Sequence, residues 1–410
     1  MSQPHSLPHQ SGEERVRVAL EALVAEVNPA TTDSKVFRRA RYDRGLAWVH
    51  FPEGFGGLGV RPELNRRVER ELRAKGAPAP DPAMFFLQLA GPAIVTHGTD
   101  EQKRRFLRPM FSGEERWCQL FSEPGAGSDL AALSCRAVEH GGEWIINGHK
   151  VWNTLAHLAD WGILVARSNT DVAKHEGITY FLLNLHSPGV EIRPLRQLTG
   201  EAEFNEVYLT DVRVPDEHRL GERGAGWRVA MTTLMNERIA IASAGGGRGS
   251  SEVVKAGTAN EAVRLWKELP AEERTSARQD VLMRLWCRGE VQRLTVMRAS
   301  QAAAAGNPGP AGSVIKLATA GLNKAVFDFC VTLLGASGQL EFDYTFRRPD
   351  RRLELTGISQ GVRHAFLRVR ANSIEGGSDE IQRNIVGEKI LGLPPEERRD
   401  KNVPWTDVPR

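Results

Sequence analysis

The chain has 410 residues, 41% apolar and 26% charged, which is long enough for two or three domains and lies in the globular range. Its 54 basic and 51 acidic side chains leave a formal charge of +3, a near-balance that excludes nucleic-acid binding by bulk charge. No run reaches the ~18 apolar residues of a membrane span, the first twelve residues lack an apolar signal core, and four scattered cysteines without a CxxC pair fit a reduced, cytoplasmic setting.

The N-terminal part reads as helices. Val16, Leu20, Leu23, Val24 and Val27 recur at spacings of three and four and make one helical stripe over 13–27. Asp33 is placed to cap a second helix running toward Trp48, and the glycines of PEGFGGLGV (52–60) break the pattern into a tight loop. Helical spacing resumes over 62–75, 82–97 and 100–111.

From Trp117 the character changes to short apolar or alternating runs (WCQLF, ALSCRAV, EWIING, KVWNT, WGILVARS, TYFLLNL, EIRPL) separated by Gly, Asn, Asp and Pro. Runs at this spacing predict an antiparallel sandwich or barrel, with hairpin turns at HGGEW (140–144) and NGHK (147–150). Helical spacing returns at Gly226 and holds to about Leu391, interrupted by the weaker stretches 245–275 and 341–362. Helices, then strands, then helices exclude a single parallel α/β sheet. The reading is an α+β chain: a helical domain over 1–116, a β domain over 117–225, and a C-terminal helical domain over 226–410 whose tail after Gly392 is expected to be extended or partly disordered.

Chemistry concentrates at FSEPGAGSD (121–129), where Gly125, Ala126 and Gly127 let backbone N–H groups approach a ligand and Ser122 and Ser128 supply hydroxyls. Spacing alone leaves a ligand cradle and an ordinary loop about equally open. His149 and His157 lack a third nearby ligand and do not form a metal site. The RRPDRR run (347–352) reads as a solvated loop, with contact to an acidic ligand as the alternative. Trp152, judged by its strand context, reads as a core residue of the β domain.

FSEPGAGSDLAAL followed by EWIINGHKVWNT resembles the middle-domain signature of the acyl-CoA dehydrogenases. GLAWVHFPEGFGGLG and GPAIVTHGTDEQKRRFL resemble the family's N-terminal helices, FNEVYLTDVRVP the strand leaving its middle domain, and NERIAIA and EGGSDEIQRNIVGEKILGL its C-terminal helices. The likeness runs over roughly 15–394 in the family's order. It implies a helix–β–helix subunit that binds FAD, assembles as a homo-oligomer (a tetramer or a dimer), oxidises an acyl-CoA and passes electrons to an electron-transfer flavoprotein.

Carried over by position, the resemblance implies flavin contacts at Gln119, Phe121, Ser122, Gly127 and Ser128, with Trp152, Asn153 and Thr154 covering the other face of the ring. It implies that Arg278 reaches a neighbouring subunit's cofactor, that Ser378 and Glu380 also touch the cofactor, and that Ser128 and Arg238 contact the substrate. The chain departs from the family pattern at Val281-Leu282 and at LLGASG (333–338).

The implied reaction needs a carboxylate beside the thioester α-carbon. Gly376 stands where many members place that Glu, and Glu375 is one residue early, a rotation of about 100° on a helix. Glu237, directly before Arg238, matches the family's second base position. It also shares an apolar stripe with Ala230, Leu234 and Ile241, where a carboxylate is costly unless paired or functional. Glu237 is the first candidate base and Glu375 the second. The alternatives are a flavin-binding subunit of a hetero-oligomeric dehydrogenase, and an oxidase or monooxygenase on the same fold.

Overall fold

The computed structural model describes residues 11–78, 87–244, 258–304, 311–340, 345–349, 360–398, 400 and 402–408, with the side chains of 238–244, 300, 303 and 304 outside the description. Helix α1 (Gly12–Glu26) buries Val16, Leu20 and Leu23 against α2 (Ser34–Asp43) and α3 (Leu64–Ala74), whose Phe37, Val68 and Leu72 complete one core. Asp33 caps α2, accepting from the backbone N–H of Lys35 and Val36 at 3.0 and 3.2 Å, and the helix ends at Asp43, short of Trp48. Helix α4 (Leu87–His97) is followed by α5 (Asp100–Ser112), which opens on a capping box between Thr99 and Gln102.

Among the described residues seven strands form one sheet: β1 (Trp117–Leu120), β2 (Arg136–His140), β3 (Glu143–Lys150), β4 (Trp161–Arg167), β5 (Ile178–Asn184), β6 (Val190–Leu195) and β7 (Phe204–Pro215). The order is β1-β4-β2-β3-β7-β6, with β5 on β4. The sheet is not purely antiparallel as the spacing predicts: β1 pairs parallel with β4, and a single parallel bridge joins Arg136 of β2 to Arg167 of β4. Gly141 and Gly142, both at positive φ, make the expected β2–β3 hairpin turn. NGHK is no turn. It continues β3 against β7 through a register shift between Ile146 and Gly148, and a Cβ on Gly148 would meet the backbone and side chain of Cys135 at 2.6–2.8 Å.

β4 and β5 are enclosed on both faces. Trp161, Ile163, Val165, Ile178, Tyr180 and Leu182 face the helices α4–α5, whereas Leu164, Ala166, Phe181 and Leu183 face a second core inside the curled sheet. Each fully buried valine, leucine, isoleucine or phenylalanine among them contributes about 1.5–3 kcal/mol.

The C-terminal part runs α6 (Gly226–Ala244), α7 (Ala259–Glu268), α8 (Ser276–Ala304), α9 (Ala311–Leu333), α10 (Val362–Arg368) and α11 (Asp379–Lys389). Val229 and Ala230 of α6 join the helix-facing core of the sheet, and α9 centres a separate core with α7 and α10. The tail differs from expectation. Pro404 bridges Ala173, and the Trp405 N–H donates to the Val172 carbonyl at 2.9 Å, so residues 402–408 dock on the β4–β5 loop. Of the two weaker stretches, 245–257, 341–344 and 350–359 lie outside the described residues.

Candidate active site

The chain leaves β1 into a tight turn in which Glu123 and Ala126 exchange two backbone hydrogen bonds of 3.0 Å. Ala126 is buried, while Gly125 and Gly127 have no heavy atom within 4 Å of where a Cβ would stand, so the loop presents bare backbone outward beside the exposed Ser128. What fixes the turn is a buried ion pair that sequence reasoning missed. Lys150, fully buried at the end of β3, donates to the Glu123 carboxylate at 2.7 Å and to the Phe121 carbonyl at 3.0 Å. The same carboxylate accepts from the Ser134 N–H and hydroxyl and the Cys135 N–H at 2.7–2.9 Å. Burial alone would raise the Glu123 pKa, but the Lys150 charge and these hydrogen bonds hold it below the ordinary carboxylate range. A lysine closing an otherwise alternating strand was the available signal.

The second loop leaves β3 alongside the first, its Val151 N–H donating to the Ser122 carbonyl at 2.9 Å. Asn153 is buried: its amide donates to the Gln119 carbonyl at 2.8 Å, and its backbone exchanges two 3.0 Å hydrogen bonds with Asn205. These contacts hold Trp152 (φ 62°) and Leu155 (φ 53°) in the left-handed region, which costs a non-glycine residue about 1–2 kcal/mol. Trp152 is therefore not the core strand residue its context predicts. It is 57% exposed and rests edge-on against Phe204, ring centroids 5.6 Å apart.

The structure thus brings Gln119, Ser122, Trp152, Asn153 and the half-buried Thr154 to one place, next to Gly127 and Ser128. Phe121 directs its side chain inward, edge-on to Tyr180 at 5.9 Å, and presents only its backbone at the loop.

On α6, Thr233 is fully buried and its hydroxyl lies 3.0 Å from that of Tyr180. Glu237, half-buried, follows one turn later on the same helix face, while the Arg238 side chain lies outside the described residues. Glu375 is elsewhere engaged. Its carboxylate receives both Nη groups of the buried Arg368 at 3.0 and 2.9 Å and the Asn372 amide at 2.8 Å.

Ser378 caps α11, its hydroxyl accepting from the Ile381 N–H at 3.4 Å, and the Glu380 carboxyl is held below its usual range by its own backbone N–H and by Ser378. Arg278, in the first turn of α8, donates to the Glu273 carbonyl and carboxylate at 3.0 and 3.2 Å. Among the described residues no hydrogen bond or ion pair joins Arg278, Ser378 or Glu380 to the two loops.

His149 stacks on Tyr208 and His157 meets the Pro349 carbonyl at 3.0 Å, so the two serve different contacts. No group of three or more metal-ligating side chains occurs among the described residues. The first half of the RRPDRR run is pinned rather than simply solvated: the Arg347 carbonyl accepts from the Ala202 N–H at 2.8 Å, and Arg348 donates to the Asn205 side chain at 2.7 Å, beside the Asn153 turn. Its remainder, 350–352, is not described.

Bare glycine backbone, an outward indole held at positive φ, and a buried Asn153 Oδ1 without a hydrogen-bond partner among the described residues form a cradle that fits a flat heteroaromatic cofactor.

Family models for the acyl-CoA dehydrogenase N-terminal, middle and C-terminal domains match residues 11–114, 118–212 and 224–391. Acyl-CoA dehydrogenase FadE34 of Mycobacterium tuberculosis (strain ATCC 25618 / H37Rv) is 38% identical over 92% of this chain and 49% of its own length, so the chain spans about half of that relative. Acyl-CoA dehydrogenase IpdE1 of the same organism is 37% identical over 86% of both proteins. The solved Tcur3481-Tcur3483 steroid ACAD has 25% identity and a TM-score of 0.66, covering 95% of this chain and 94% of that one. The chain belongs to the acyl-CoA dehydrogenase family, as an oxidoreductase whose cofactor is FAD.

Proposed function

We propose that the chain removes the α-proton of a saturated acyl-CoA with Glu237 and yields the 2,3-enoyl-CoA. The observation that carries this is the contrast between the two carboxylates. Glu375 is held in a bidentate pair with buried Arg368, whereas Glu237 stands on the α6 face that meets Tyr180, which packs on Phe121 of the glycine loop. A base must reach a weakly acidic proton, and a half-buried carboxylate on that helix face suits the task.

Bound FAD supplies the acceptor for the β-hydride. The backbone of 119–128 and the Trp152–Asn153–Thr154 turn hold and orient the cofactor, and Ser128 with Arg238 holds the thioester end of the substrate. Electrons then leave to an electron-transfer flavoprotein. The likeness to a solved steroid ACAD supports a bulky, ring-bearing acyl group as the substrate class.

Val281, Met283, Val291, Leu294 and Met297 of α8 are 41–63% exposed, an apolar surface that supports assembly as a homo-oligomer. Arg278 begins the same helix and would act across that interface. A second reading pairs the chain with a different subunit of the same family. It is favoured by FadE34, of which this chain spans about half.

The test is anaerobic flavin bleaching by acyl-CoAs of graded length and branching, including a steroid side-chain thioester, with mass measurement of the assembly. Bleaching without peroxide formation in air supports the dehydrogenase. Rapid peroxide release supports an oxidase, and a colourless protein that takes up no FAD overturns the assignment of the two loops.

A further inference from the structure

We propose that Lys174, backed by the C-terminal tail, is a positioning residue for the glycine loop at 121–129. This rests on the reading of Ser128 as a substrate contact. The loop between β4 and β5 carries Lys174, whose side chain is only 4% exposed although it bears a charge. Its ammonium lies 2.6 Å from the Asp129 carboxylate and also pairs with the Asp400 carboxylate. Asp129 directly follows Ser128 and closes the glycine loop; Asp400 belongs to the tail. One buried cation therefore joins the two segments.

A second buried cation repeats the pattern. Arg167, 2% exposed at the end of β4, donates to the carbonyls of Ala131 at 2.5 Å, Leu133 at 3.3 Å and Lys174 at 2.6 Å. Its guanidinium also sits 5.0 Å from the Trp405 ring centroid. Backbone contacts set the register between the two cations. Trp405 donates to the Val172 carbonyl at 2.9 Å, Pro404 bridges Ala173, and Asp407 closes back on the Pro404 carbonyl at 2.9 Å.

The chemistry requires the tail. A buried ammonium needs carboxylate partners, and Asp129 is itself 55% exposed, so alone it offers a largely solvated partner. Asp400, oriented by Arg398 at 3.3 Å, supplies the second and better-enclosed carboxylate. With Asp400 in place Lys174 stays buried and draws Asp129 inward. Without it Lys174 turns toward water, Asp129 follows, and Ser128 loses its fixed position relative to the bare backbone of Gly127. The tail thus sets the affinity of the loop for the acyl-CoA from outside the site, through Asp129.

The experiment compares the FAD-loaded full-length protein with Asp400→Asn, Asp400→Glu and Trp405→Ala. Amide exchange across 125–133 is read by mass spectrometry beside the dissociation constant for an acyl-CoA and the limiting flavin-reduction rate. Asp400→Asn and Trp405→Ala are expected to accelerate exchange at 125–133 by about tenfold or more, leave β3 amides 143–150 unchanged, and weaken acyl-CoA binding while the limiting rate holds. Asp400→Glu should restore most of the protection. Unchanged exchange at 125–133 in both disruptive variants overturns the positioning role. Accelerated exchange with unaltered acyl-CoA affinity upholds the positioning role and instead removes Ser128 from the substrate site.

Discussion

The hydroxyls of Tyr180 on β5 and Thr233 on α6 lie 3.0 Å apart, and both side chains are fully enclosed. This contact fixes the rotation of α6 about its own axis, because Thr233 is pressed onto the sheet and every residue at a helical repeat from it shares that face. Glu237 is the next such residue. Tyr180→Phe keeps the ring and its edge contact with Phe121 but removes the hydroxyl. It is expected to lower stability by about 1 kcal/mol in urea denaturation and to slow flavin reduction, since α6 then loses its hydrogen bond to the sheet at this point.

The two candidate bases make opposite demands on a pair of variants. Glu237→Gln is expected to cut single-turnover flavin reduction by about 10²-fold to 10⁴-fold. Glu375→Gln leaves the buried Arg368 without its directly paired carboxylate and is expected to cost about 3 kcal/mol of stability, while the folded fraction reduces flavin at a near-normal rate. Stopped-flow absorbance paired with thermal melts separates them. The reverse pattern assigns the base to Glu375.

Acid is expected to release the flavin through Glu123. The folded carboxyl titrates below its unfolded value, so at low pH the unfolded chain binds the extra proton first. The stabilisation is complete above the unfolded carboxylate range and is lost as the pH falls through the lower folded value. Lys150→Met removes the charge that depresses this value, leaving burial to raise it. Flavin release, followed by fluorescence against pH, should then move to higher pH, with a stability loss of about 3–5 kcal/mol at neutral pH.

Trp152 separates folding from binding. At φ 62° glycine is comfortable where tryptophan and alanine are not. Trp152→Gly is expected to be more stable than Trp152→Ala by about 1 kcal/mol, yet both should lose FAD affinity because the exposed indole is gone. Melting curves of the flavin-free protein and FAD titrations read the two effects separately.

Much of this fold is legible in the chain itself where the determinants are local. The stripe Val16–Leu20–Leu23, the cap at Asp33 and the paired glycines at 141–142 each act within a few residues, and each forms the element expected of it. The glycine loop and the Trp152–Asn153–Thr154 turn are equally visible as motifs. What is not legible is set by distant partners. NGHK reads as a turn because its reason for staying extended is Cys135, which occupies the space beside Gly148. Glu123 and Lys150 are 27 residues apart, and Lys174 and Asp400 lie on opposite sides of the C-terminal helices in the chain. Trp152 has the composition of a strand residue, and only the Asn153–Asn205 exchange and the Gln119 carbonyl turn it outward.

The double enclosure of β4 and β5 governs how this family member can vary. In a strand with one wet face, every second position accepts almost any polar residue, and β6 keeps that latitude at Glu191 and Arg193. β4 and β5 have no such alternate set, because in each strand one alternate set fills the gap beneath the helices and the other fills the curl of the sheet. Sequence drift at the apolar positions of this hairpin is therefore confined to exchanges among apolar side chains of similar volume. A change in acyl-group preference must be built instead on the surrounding helices and loops, where side chains can change size without disturbing two cores at once.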